Sequence, residues 1–123
     1  MTTPHTLQQE DLGQFVGTGQ WYKHPLTPIL YTDGVKHVAN AGGAHWLINE
    51  IAFAQLDMKN RAVIKESFQV WTLQVHTNQS ATLTCANRDG TPLWSKPIAY
   101  TGFPLETITF YLTDTIIMLP SEY

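Results

Sequence analysis

The chain has 123 residues, 43% of them hydrophobic and 14% charged, with 7 Lys and Arg against 10 Asp and Glu for a formal charge of −3. This size and apolar content exclude a highly charged disordered chain and suit one domain with one core, while the acidic balance disfavours a nucleic-acid role. One cysteine, Cys85, excludes an intrachain disulfide scaffold and points to a reducing cytoplasm.

Residues 1–12 carry neither the basic nor the apolar region of a secretion signal. Within them, Thr6 and Gln9 have the spacing of a capping box, which predicts a short helix ending near Gly13 and anchored by Leu7, Leu12 and Phe15. Gly17, Gly19, Pro25 and Pro28 then punctuate residues 17–31, which read as loop with one short extended piece. Thr32 or Asp33 can cap the next helix, where Val35, Val38, Ala39 and Gly42 share a face until Gly42 and Gly43 stop it. From residue 44 to about 56, Ala44, Leu47, Ile48, Ile51 and Ala54 keep a helical period, and Trp46, Ala52 and Phe53 widen the apolar surface.

Near position 60 the rhythm changes to two. Gln69, Trp71, Leu73 and Val75 alternate with Phe68, Val70, Thr72, Gln74 and His76, the pattern of a strand with two unlike faces. After a turn at 78–80, a strand over 81–88 meets Asp89-Gly90, a hairpin signal, and pairs back with residues 93–96. Pro92 and Pro97 bracket that third strand and remove two backbone donors, so it should be short, irregular or near an edge. Ile108, Phe110 and Leu112 alternate with Thr107, Thr109, Tyr111 and Thr113 in a fourth strand, and residues 116–119 make a last one before Pro120. Apolar stretches at 46–54 and 116–119 are too short or too interrupted to cross a membrane. The expected architecture is a single α+β domain over residues 1–123, with N-terminal helices packed on one face of a C-terminal four- to five-stranded antiparallel sheet.

Several phrases taken in order carry a resemblance: Phe15-Val16-Gly17-Thr18, Trp21-Tyr22-Lys23-His24-Pro25, Tyr31-Thr32-Asp33-Gly34-Val35, Gly42-Gly43-Ala44-His45-Trp46-Leu47, Gln69-Val70-Trp71, Phe103-Pro104-Leu105 and Leu119-Pro120-Ser121-Glu122-Tyr123. The chain resembles a family of uncharacterised bacterial proteins known only as a domain of unknown function. The resemblance covers most of the chain. It implies a free-standing bacterial protein of about this length with helices before sheet, and it implies no activity, cofactor or catalytic residue.

Three groups of residues are candidate sites. Asp33 and His37 are four apart on one helix and can join His24, a set suited to a divalent metal with open positions or to a general base and its orienter. Simpler roles compete: Asp33 as a helix cap, His37 at the surface and His24 before Pro25, with no HExxH or paired Cys-His spacing. His45, Asn49 and Glu50 form a polar stripe on the apolar second helix, where a carboxylate and an imidazole could serve acid–base chemistry or merely reach water. Trp21, Tyr22 and Tyr31 could line a ligand groove or close the core.

Cys85 sits mid-strand and reads as a small buried hydrophobe, and no serine lies in a G-x-S-x-G elbow. Lys59, Arg61 and Lys65 are diluted by Asp57 and Glu66, which makes a solvated connection of the one basic run. The glycines match no phosphate-binding fingerprint, so no cofactor is expected. The last strand with Ser121-Glu122-Tyr123 could form a sheet edge that recruits a second copy. The expectation is a cytoplasmic, non-enzymatic binding or interaction protein whose partner is an unknown protein or another copy in a homo-oligomer. The alternative is a small-molecule or metal-dependent enzyme using His24, Asp33 and His37, helped by His45 and Glu50.

Overall fold

The computed structural model describes Leu7, Gln8, Leu12 and Gly13 together with residues 20–57 and 59–123. Two short strands come first, β1 (Trp21–Lys23) and β2 (Leu30–Thr32), followed by helices α1 (Asp33–Gly42), α2 (His45–Ala54) and α3 (Arg61–Ile64). Then come β3 (Phe68–Val75), β4 (Ala81–Asn87), β5 (Pro92–Ile98), β6 (Thr107–Thr113) and β7 (Ile116–Met118), and a 3₁₀ turn over Pro120–Glu122. The helix expected between Thr6 and Gly13, with Phe15, Gly17 and Gly19 beyond it, falls largely outside the described residues. Leu7 is buried against the core.

The sheet corrects the expected architecture. It has seven strands in the order β1-β2-β7-β6-β3-β4-β5, and it is mixed because β2 runs parallel to β7 while every other pair is antiparallel. The front of the chain is therefore part of the sheet, where the reading had only helices laid on four or five antiparallel strands. Strands of three residues complete barely one alternation, so β1 and β2 leave no period in the sequence. They form because Tyr22 stands opposite Tyr31 across an antiparallel pair, and Leu30 and Tyr31 meet Ile116 and Ile117.

β3 is the centre of the sheet, paired along its length with β4 and β6. Its side chains alternate as the sequence predicts. Gln69, Trp71, Leu73 and Val75 are buried with Leu83 and Cys85 of β4 and Ile108, Phe110 and Leu112 of β6, and the buried residues of α1 and α2 belong to the same core cluster. On the opposite face Ser95, Thr84, Thr72 and Thr109 stand side by side across four strands. β5 lies at the sheet edge and includes both Pro92 and Pro97, with a bulge opposite Cys85 and Ala86. An edge strand needs donors on only one side, which is why two prolines fit there.

Both ends of α1 are fixed by local chemistry. The Thr32 hydroxyl accepts a hydrogen bond from the Val35 amide, and Gly43 ends the helix at φ 62, a conformation that disfavours any Cβ. A carboxylate from far along the chain completes the start. Glu122 Oε1 accepts from the Thr32 hydroxyl at 2.6 Å and from the Leu119 amide at 2.9 Å, and Oε2 accepts from the Gly34 amide at 3.3 Å. A negative group on the amide end of a helix is stabilising, so the 3₁₀ turn is tied to α1 by charge as well as by hydrogen bonds.

Candidate functional site

His24 is the most buried of the candidate residues, 2% exposed, and its ring is fully engaged. The Leu26 amide donates to Nδ1 at 3.2 Å, so Nε2 carries the hydrogen and donates to Asn49 Oδ1 at 2.7 Å. The Phe53 ring packs edge-on at 5.3 Å between centroids. His24 thus ties the loop after β1 to α2, and both nitrogens are spent in doing so.

Asp33 faces elsewhere. Its carboxylate accepts a hydrogen bond from the Tyr22 hydroxyl, which together with slight desolvation and the nearby negative charge raises the Tyr22 pKa above its ordinary value. Tyr22 also stacks on Tyr31 at 5.7 Å and carries the Lys36 ammonium 4.0 Å above its ring. Tyr22 and Tyr31 are a cross-strand pair, half-buried, whereas Trp21 is exposed. His37 is half-buried on α1. Among the described residues no three His, Cys, Asp or Glu side chains gather in a metal-holding group, and His24 and Asp33 take different partners, Asn49 and Tyr22.

The polar stripe on α2 likewise divides. Asn49 holds His24, exposed His45 bonds Asn40 Oδ1 through Nε2 at 2.8 Å, and Glu50 pairs with Lys96 of β5 at 2.8 Å. Glu50 alone of the three lines a groove, together with Trp46 and Tyr100. The basic run Lys59, Arg61 and Lys65 is exposed on and around α3.

Two polar features are wholly structural. The Gln69 amide donates to the carbonyls of Val63 and Glu66 and exchanges reciprocal hydrogen bonds with Gln55, while its oxygen accepts the Trp71 indole N–H at 2.9 Å. Every group of this buried network is satisfied. Cys85 is fully buried in β4, and loss of solvent, helped by the negative charge of Glu66, pushes its thiol up to about 12. A thiol held in that state is a poor nucleophile.

The surface offers more than these polar groups do. Leu26, Phe53, Leu56 and Ile64 are large apolar side chains left exposed, and Leu26 alone is 74% exposed. Leu26 and Phe53 flank His24, and Leu56 and Ile64 border a cleft of about 400 Å³ with Pro28 and Ile29. Backbone hydrogen bonds from the His24 amide to the Ile29 carbonyl at 2.8 Å and from the Leu56 amide to the Phe53 carbonyl at 3.0 Å brace the turns that carry this apolar group. Sequence reasoning passed over it, although Phe53 and Leu56 stand out as apolar positions on the outer side of the α2 pattern.

A family model covers residues 6–123. The chain belongs to DUF6876, a family of unknown function. No curated protein and no solved structure matches it. Two of the phrases that suggested such a family now have a physical content in this chain: Gln69-Val70-Trp71 supplies the buried amide network, and Leu119-Pro120-Ser121-Glu122-Tyr123 supplies the carboxylate on α1. No helix among the described residues is long and apolar enough to cross a membrane.

Proposed function

We propose that the chain is a non-enzymatic interaction protein that acts as a homo-oligomer in a reducing bacterial cytoplasm. The exposed apolar side chains Leu26, Phe53, Leu56 and Ile64, with Leu56 and Ile64 on one cleft, support this reading, because grouped exposed apolar residues mark association sites more often than scattered ones do. A second copy is the occupant that the surrounding charge favours. The segment bearing Leu56 and Ile64 also bears Asp57 and Glu66 beside Lys59, Arg61 and Lys65, and Asp114 lines the same cleft. In a two-fold dimer each patch meets itself, so a rim with both signs can pair where a rim of one sign would repel.

Light scattering on the purified chain across the micromolar range tests this. The expected result is a dimer that becomes monomeric in Leu56→Glu, with an unchanged circular dichroism spectrum because Leu56 is exposed. A strict monomer at every concentration, or a dimer indifferent to Leu56→Glu and to Ile64→Glu, would overturn it.

A further inference from the structure

A second surface feature shares no lining residue with the cleft of Leu56 and Ile64. A groove of about 510 Å³ opens where α1 gives way to α2, bounded on the far side by the residues following β5. Trp46 and Tyr100 line it with aromatic rings and Ile98 with an apolar side chain, and Gly43 and Gly102 leave the main chain bare, with open space where a Cβ would stand at either. Tyr100 is 72% exposed, which is unusual for a ring whose only role is to close a core.

The charges around this groove select a ligand. The Glu50 carboxylate lies in its wall. The carbonyl end of α1 reaches it at Gly42 and Gly43, and α1 has no basic residue in its last turn to offset that negative pole. Aromatic faces attract cations, Trp most strongly. The opposing charge is Lys96, bonded to Glu50 at 2.8 Å with both side chains partly exposed, a pair weak enough to exchange for another cation. The net charge of −3 adds a general attraction of the same sign.

We infer that this groove binds an organic cation, a guanidinium or alkylammonium head seated between Trp46 and Tyr100 with its charge on Glu50. The head group can belong to a basic peptide side chain or to a free quaternary amine. Neither walls nor charges depend on the apolar patch, so this site stands whether or not the chain dimerises.

Two probes separate the sources: N-acetyl-arginine amide for a side chain and tetramethylammonium for a free amine, with tert-butanol as a neutral control. Binding is followed by ¹⁵N–¹H NMR of the Trp46 indole, assigned by Trp46→Phe, and of the Gly43 and Gly102 amides. The expected result is saturable shifts with at least one cation and none with the control. Glu50→Gln should weaken binding about tenfold, and Lys96→Ala should strengthen it by removing the competing cation. An unmoved Trp71 indole signal reports that each variant keeps its core. Shifts of equal size with tert-butanol, no saturable shift with either cation, or unchanged affinity in Glu50→Gln would sink the assignment.

Discussion

Gly34 and Glu122 share a space that admits no side chain between them: a Cβ at position 34 would fall 2.7 Å from Glu122 Oε1 and 2.7 Å from Leu119 Cδ1. Replacing a helical glycine by alanine ordinarily stabilises by about 1 kcal/mol. Here the clash decides the sign, because the carboxylate is held by Thr32, Gly34 and Leu119 and cannot simply swing away. Gly34→Ala should destabilise by about 1–3 kcal/mol, the usual cost of overpacking. Glu122→Ala should cost about 2 kcal/mol through lost charge-assisted hydrogen bonds. The double variant should lose less than the sum, since removing the carboxylate relieves its share of the clash and leaves only that with the Leu119 side chain. Urea unfolding of the four proteins measures this, and strict additivity would refute the coupling.

Gln69 is a polar residue whose replacement by a hydrophobe should fail. Leucine of similar length would leave the buried Trp71 indole N–H without its acceptor and would remove the side-chain donor to the Glu66 carbonyl, whereas the Val63 carbonyl keeps the Glu66 amide. A buried polar group left unpaired costs about 1–3 kcal/mol, so Gln69→Leu should destabilise by roughly 3 kcal/mol or more. Adding Trp71→Phe to that variant removes the orphaned indole donor and should cost less than Trp71→Phe alone. Denaturation of the two single variants and the pair gives the coupling energy, and a stabilising Gln69→Leu would show that the network contributes nothing.

The sequence carried its local rules faithfully and its long-range ones hardly at all. The alternation of Gln69, Trp71, Leu73 and Val75 announces β3 and its buried face, the Thr32 hydroxyl and Gly43 bound α1, and two prolines put β5 at an edge. Each of these depends on residues within a few positions of one another. The parallel pairing of Leu30 with Ile116 depends on segments far apart in the chain, and three-residue strands have no rhythm to betray it. Sites suffer in the same way. The sequence does not reveal that His24 bonds Asn49, which lies on another element, and helical spacing does not say that Glu50 meets Lys96 on β5. The Trp46 and Tyr100 groove joins α2 to a loop after β5, and nothing local in either segment points to the other.

Cys85 makes stability depend on alkaline pH in a direction that can be worked out. Its thiol has an ordinary value of 9.0 and is pushed up to about 12 in the folded chain by burial, with the Glu66 charge as a lesser cause. Between those values the unfolded chain has lost the proton that the folded chain retains, so the unfolded state binds fewer protons and stability falls as pH rises. The contribution is fully present below pH 9 and is lost through the window up to about 12. A single group titrating in only one state gives a slope of at most about 1.4 kcal/mol per pH unit. Other alkaline groups, including Tyr22 with its raised pKa, add a decline of their own, so the comparison has to be made against Cys85→Ala. That variant should be less stable at neutral pH, because a packed sulfur is removed, yet it should decline less steeply between pH 9 and 11. Urea midpoints of both proteins across that range measure the difference in slope. Parallel curves would mean that the thiol is open to solvent often enough to titrate as it does in the unfolded chain, and rapid labelling by a thiol reagent at pH 8 would say the same.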